Sequence, residues 1–383
     1  MNRLRSQRWY AWPWWWVLLA AWAAVWFRVY ARGGGQSWPL FVAAARLLFG
    51  GHPASFGLPG GLHLYASYPR FQFGPVTVLV TAVLRVLGPR EGLVAAQVLM
   101  TGCGLLIVWL VWRIAVLVRP ASDWELARWT VLGAGVVFVP AWEILAVSFM
   151  HLDDVLALLF AVLALRSLVA GQAGATGALL ALSGCAKPWA YAFLALLVAL
   201  PRGVWWRDAR VRGLAWAALV TVLLWAPFAI ADTGTLSAAR YAIPNVADSG
   251  LRALGVHSLS TPPWDRPAQL LIGLGLSVVA VGRGRWPAVL LIVTSVRIGL
   301  DPNNFPYYGA GLVTGTLVWD TCGTRRPSPA WTLAAGAMFW AWAAADSAHQ
   351  PTLAGWMRVG FAVGAALYTI LAAAAVPSAP RGG

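Results

Sequence analysis

The chain has 383 residues, of which 60% are hydrophobic and 11% charged, with a mean hydropathy of +0.69. Soluble domains carry about 25% charged residues, so the composition excludes an ordinary water-soluble fold and points to a bilayer. The net charge of +15 is carried by arginines at the ends of apolar runs and not on one basic face. It therefore reads as a topology signal and an attraction to anionic lipid head groups, and no nucleic-acid partner is expected.

Arg3, Arg5 and Arg8 precede the first apolar run, residues 12–29, which is long enough to cross a membrane. No small-residue cleavage site follows, so a retained helix with a cytoplasmic N-terminus is expected. Residues 30–73 do not span. They hold Gly33-Gly34-Gly35, a short helix at 39–49, the turn-rich Gly50-Gly51-His52-Pro53 and Leu58-Pro59-Gly60-Gly61, and neither Asp nor Glu. Aromatic content argues against disorder, so this stretch reads as a first external loop with a surface helix. His63, Arg70 and Gln72 within it are candidates to contact a sugar or phosphate.

Further apolar runs follow at 75–87, 93–118 and 128–149, the last expected to be interrupted at Pro140. Others lie at 155–168, 174–186, 189–200, 214–231, 268–281, 286–300, 307–319, 331–345 and 354–375. In lipid every backbone N–H needs a partner within its own segment, so these are helices, and the alternation of barrel strands is absent. The expected fold is all-α: one integral membrane domain, residues 1–383, of about 12–13 transmembrane or half-spanning helices, several shorter than the ~20 residues of a full crossing. A second external loop is expected at 232–266.

The most basic loops, with Arg202, Arg207, Arg210 and Arg212, then Arg283 and Arg285, then Arg325 and Arg326, read as cytoplasmic. Lys187, residues 233–265, 301–306 and 346–352, and His151 to Asp154 then share the outer face. Counting three full spans back from Asp153 would put the N-terminus outside as well, against its arginines. One segment, at Pro140 or Pro75, must be broken or re-entrant.

Met150-His151-Leu152-Asp153-Asp154 is the densest titratable stretch, set directly before an apolar run. Ionisable groups at membrane depth are costly and seldom idle. A helix cap at Asp153 and a first-turn charge at Asp154, together about 1–2 kcal/mol, account for one carboxylate, not for two plus an imidazole. A helix beginning slightly earlier would put His151 and Asp154 on one face at i,i+3, with Asp153 pointing elsewhere. A carboxylate oriented by a histidine could take the proton of a hydroxyl, so His151, Asp153 and Asp154 are the candidate catalytic residues.

Lys187 is the only lysine, and Pro188 after it ends or kinks a helix. It reads either as an ammonium snorkelling to the interface or as a cation for a phosphate. Arg297, Asp301-Pro302-Asn303-Asn304 and Tyr307-Tyr308 read either as a turn between helices or as part of a site. The i,i+4 spacing would let Arg297 pair with Asp301. Lys187, Arg297 and Arg70 are candidate phosphate-binding cations, and Asp301, Asn303, Tyr307, Tyr308, His63 and Gln72 candidate substrate contacts. Glu143 reads as buried and paired with an unspecified group, and Asp346 and His349 as ordinary loop residues. Cys103, Cys185 and Cys322 suggest neither disulfides nor a metal knuckle, and no nucleotide loop or zinc helix is present, so neither cofactor nor metal is expected.

A basic N-terminus, one helix, a long external loop with surface helices and many further helices resemble the GT-C glycosyltransferases. Within them the chain is most similar to the bacterial polyprenyl-phosphomannose-dependent mannosyltransferases of glycosyltransferase family 87. The resemblance rests on Gly50-Gly51-His52-Pro53, Tyr68-Pro69 through Pro75, Met150-His151-Leu152-Asp153, and the small-residue run from Gly174 to Lys187-Pro188. It implies a polyprenyl-phosphate sugar donor, a lipid or glycan acceptor, and transfer at the outer face of the cytoplasmic membrane. The family's catalytic carboxylate typically lies in the first external loop. This loop has none, and Gln36 or Trp38 stands near its place. The base has moved to Asp153 or Asp154, or the chain does different or no chemistry. The alternatives are a transporter or flippase for a lipid-linked or anionic solute, suggested by helices broken at Pro140 and Pro188, and a non-catalytic family member.

Overall fold

The computed structural model describes residues 13–50, 57–204, 208–326 and 328–372; Arg3, Arg5, Arg8, Gly51, His52, Pro53 and Arg207 lie outside them. Fifteen α-helices follow in order: α1 Pro13–Ala31, α2 Trp38–Phe49, α3 Leu64–Ser67, α4 Pro75–Leu84, α5 Pro89–Val118, α6 Trp124–Glu143, α7 Leu152–Val169, α8 Ala173–Ala186, α9 Ala209–Ala231, α10 Gly250–Ala253, α11 Asp265–Gly282, α12 Val289–Leu300, α13 Tyr308–Val318, α14 Ala330–Ser347 and α15 Pro351–Leu371. Among the described residues there is no strand, only one isolated bridge between Pro244 and Ser260. Among the described residues, five helical stretches, at α1, α5, α6 with its extension to Ser148, α9 and α15, are long and apolar enough to cross a membrane. The chain is an all-helical membrane protein.

Two departures from α-geometry decide how the site is built. After Lys187 the chain forms a 3₁₀ helix over Pro188–Ala199. Twelve residues rising ~2.0 Å each reach ~24 Å, against ~18 Å in an α-helix, so this short run covers most of a bilayer. The second departure is at α6. Pro140 lies inside the helix and does not interrupt it. Its missing N–H frees the carbonyl of Val136, which the Trp22 indole of α1 satisfies at 3.1 Å. The break comes later, as a π-turn over Ile144–Ser148.

The connections fall at two ends of the bundle. At one end Gly35 N–H donates to Val147 O at 2.9 Å, Val246 N–H to Pro302 O at 2.9 Å, and Arg358 to Asn303 O at 2.8 Å. At the other, Arg119 donates to Thr321 O at 2.7 Å and Arg283 to Ile370 O at 3.1 Å. The arginines at 119, 283 and 325 thus share the end opposite His151 and Lys187.

Both ends of α4 stay at the first end. Its start is pinned by Gly74 N–H to Ala186 O at 2.8 Å, and its last turn packs on Gly92, beside Trp38. This ten-residue helix therefore does not cross the bundle, so of the two segments expected to be broken or re-entrant, the one at Pro75 is the one that fails to span, and Pro140 leaves α6 unbroken. Gly34 and Gly74 permit the close contacts at this end. A Cβ on Gly34 would stand 2.5 Å from Val147 O, and one on Gly74 1.9 Å from Cys185 O.

Candidate functional site

Asp153 and Asp154 sit in the first turn of α7, with His151 at its N-cap. The residue before, Met150, is fully buried with φ of 59°. A left-handed non-glycine residue in a packed core is strained, and such strain clusters at functional sites. It turns the chain from the π-turn of α6 into α7, so that His151 Nδ1 lies 3.3 Å from Asp153 Oδ1 and 3.7 Å from Asp154 Oδ2. Asp153 therefore does not point away from His151: with the helix starting at Leu152, both carboxylates wrap around the imidazole.

Each carboxylate has a cation from a distant part of the chain. Lys187 Nζ donates to Asp153 Oδ2. Pro188 forces Lys187 into an extended conformation between α8 and the 3₁₀ helix, which aims its side chain inward rather than letting it snorkel. Arg297 of α12 donates to Asp154 Oδ1 at 2.7 Å, and the Trp189 indole reaches the same oxygen at 3.0 Å. The guanidinium lies between two rings, 4.5 Å from Trp189 and 4.6 Å from Tyr308, a favourable place for a weakly hydrated cation. Arg297 does not pair with Asp301; the Asp301 carboxylate accepts from Asn303 N–H at 2.9 Å and closes the turn. Spacing alone favoured the local partner, but the two carboxylates are equally buried, and Asp301 is served by the Asn303 N–H of its own turn while the donors to Asp154 come from Arg297 and Trp189.

Tyr307 stacks on the His151 ring at 3.7 Å and 22°, and Ser37 Oγ lies 3.1 Å from His151 Nε2. The cluster therefore joins the first loop, α7, the Lys187-Pro188 break, α12 and the start of α13. Its charges cancel when the imidazole is neutral. It is buried but not sealed: the side chains of Lys187, Arg297 and His151 keep 13%, 12% and 17% of their exposure, against 1% and 3% for Asp153 and Asp154.

The other expected site residues lie elsewhere. His63 Nδ1 meets Asp232 Oδ2 at 3.1 Å, and Gln72 bonds to Tyr241 O at 3.2 Å and Arg266 at 2.9 Å. They tie the first loop to the second across this end of the bundle. The bond from His63, with the Gly234 N–H, holds the Asp232 carboxyl below the usual carboxylate range. Burial pushes Asp248 of the second loop above it. Arg70 places its guanidinium 5.3 Å over Phe71. Asn303 accepts from buried Arg358 through its carbonyl and from Asn304 N–H through its side chain at 2.7 Å. Glu143 is buried and accepts from Thr101 at 2.7 Å. Ser37 and Trp189 carried no signal in the sequence beyond their neighbours; a serine before a helix reads as a cap.

The ligand atoms of His151, Asp153 and Asp154 lie within 4.8 Å of one another. With Lys187 and Arg297 each already on a carboxylate, a divalent cation would have to displace a buried cation, so the arrangement fits an anion that shares the two cations better. Fold and cluster together define an all-helical membrane protein with a buried double ion pair at one end of its bundle. Comparison with protein-family models, curated proteins and solved structures finds no match.

Proposed function

We propose that the chain is a GT-C-type membrane glycosyltransferase that moves a sugar, mannose in the first instance, from a polyprenyl phosphate to a lipid or glycan acceptor at the outer face of the cytoplasmic membrane. One observation carries the reading: two cations and two carboxylates, drawn from α7, the Lys187-Pro188 break and α12, meet in one partly open cluster under two extramembrane loops. Lys187 and Arg297 stabilise the departing phosphate, and Asp153 or Asp154 takes the proton of the acceptor hydroxyl. With the arginine-rich end cytoplasmic, the N-terminus lies inside and the cluster outside.

The test is transfer by purified protein in lipid, from radiolabelled polyprenyl-phosphomannose to total membrane lipids. Transfer lost in Asp154→Asn and Lys187→Gln supports the reading. Undiminished transfer in the Asp153→Asn/Asp154→Asn double variant overturns the mechanism, and none from any polyprenyl donor overturns the class. A second reading, translocation of a lipid-linked anion, is favoured by the π-turn and the extended Lys187 inside the bundle, since broken helices line transport sites. Donor-independent movement of labelled lipid across a vesicle would select it.

A further inference from the structure

We infer that Ser37, His151 and Asp153 form a nucleophilic triad at the membrane face, able to take an acyl group from a hydrophobic ester. The inference goes beyond sugar transfer and shares only His151 and Asp153 with it. Ser37 Oγ lies 3.1 Å from His151 Nε2, and His151 Nδ1 lies 3.3 Å from Asp153 Oδ1. Nucleophile, base and orienting carboxylate are recognised by such a geometry, whatever their order in the chain.

Three further features single out this serine. It occupies the N-cap of α2, yet its side chain makes no capping bond; the hydroxyl that would ordinarily satisfy the helix is turned to the imidazole. The base is immobilised, stacked on Tyr307 and met edge-on by Phe41 at 6.3 Å, behind the strained Met150. Exposure falls inward along the relay, from half-buried Ser37 to fully buried Asp153, whose second oxygen is held by Lys187. Leu40, one turn along α2 from Ser37, is exposed, as are Leu58 and Leu62 beyond the far end of that helix, beside Leu47. They suit the acyl chain of a lipid ester.

In the acylation step Ser37 Oγ bonds to the acyl carbon and the ester C–O bond breaks, while the serine proton passes through His151 Nε2 to the departing alkoxide. Water or an acceptor hydroxyl then attacks, gives its proton to Nε2, and Ser37 recovers it as the acyl bond breaks.

The full-length protein in lipid-containing micelles is treated with an alkyl fluorophosphonate, and the adduct is located by mass spectrometry. The expected result is an adduct on Ser37, absent from Ser37→Ala, slowed about a hundredfold in His151→Gln, and lost when the wild-type protein is heat-unfolded before labelling. No Ser37 adduct on folded protein, while a serine hydrolase in the same micelles is labelled, overturns the inference. So does equal labelling of folded and unfolded protein, which decides the matter even where His151→Gln does not fold. The readout needs no sugar donor, so its failure is distinct from a failure of sugar transfer.

Discussion

Replacing Lys187 by Met removes the ammonium but keeps the stem, and leaves Asp153, 1% exposed, with only its contact to His151. Breaking a buried pair from one side costs about 3–5 kcal/mol, because the remaining charge is neither solvated nor compensated. The loss is bounded: a carboxylate deprived of its cation can take up a proton instead, at roughly 4 kcal/mol at pH 7 for a group that ordinarily titrates near 4. Lys187→Met should therefore lose about 3–4 kcal/mol, read as a shift in reversible unfolding in mixed detergent. Adding Asp153→Asn removes the stranded charge, and the double variant should regain most of the loss. A single variant within about 1 kcal/mol of wild type, or a double variant no better than the single, would refute the claim that this pair is buried and mutually dependent.

Gly74→Ala should cost about 3 kcal/mol and displace Lys187, because its Cβ would lie 1.9 Å from the carbonyl of Cys185, an atom that cannot yield. Gly102→Ala, in an open position within α5, should instead gain about 0.5–1 kcal/mol; thermal melting of the two compares them directly. Trp22→Phe should lose about 1 kcal/mol by orphaning Val136 O, and the loss should vanish in a Pro140→Ala background, where the helix supplies its own N–H. The lowered Asp232 titration means that its contribution to stability is present above the unfolded carboxylate range and is lost as pH falls through the lower folded value. Limited proteolysis of the second loop should therefore accelerate at acid pH in wild type, and Asp232→Asn should show the fast rate already at neutral pH.

The membrane class and nearly every helix were legible because apolar runs broken by Gly, Pro and Arg carry their own boundaries. The run at 189–200 is legible at nearly its observed length, but not as a 3₁₀ helix, since an all-apolar run carries no periodicity that separates ~3.0 from ~3.6 residues per turn. The parity conflict was also legible, and the choice between Pro75 and Pro140 was not. A proline inside a helix is tolerated when a neighbour satisfies the freed carbonyl, and Trp22 stands 114 residues away from Val136. The members of the cluster were likewise nameable, as rare charges in an apolar chain. Their partners were not: i,i+3 and i,i+4 rules see only one helix, whereas Arg297 finds Asp154 across 143 residues and Lys187 finds Asp153 across 34.

The pairing bears on how the proposed transfer would be controlled. Each of the two carboxylates shares its charge with a cation whose contact would be lost if the carboxylate took up a proton. A phosphate entering the partly open side competes for the same donors, and Arg297, fixed between Trp189 and Tyr308, can serve two anions without moving. Binding of the anion thus weakens the hold on Asp153 or Asp154 at the moment when a base is needed. Asp154 Oδ2, which has no hydrogen-bond donor, is the oxygen that loses least in that exchange. On this reading the carboxylates stay masked until the donor arrives, and water entering beforehand meets a cluster whose charges are already matched. The same logic disfavours Lys187→Arg as a silent change. A planar fork holds a carboxylate bidentately where an ammonium makes a single contact, so this variant should keep its stability and transfer more slowly, with the loss in kcat rather than KM.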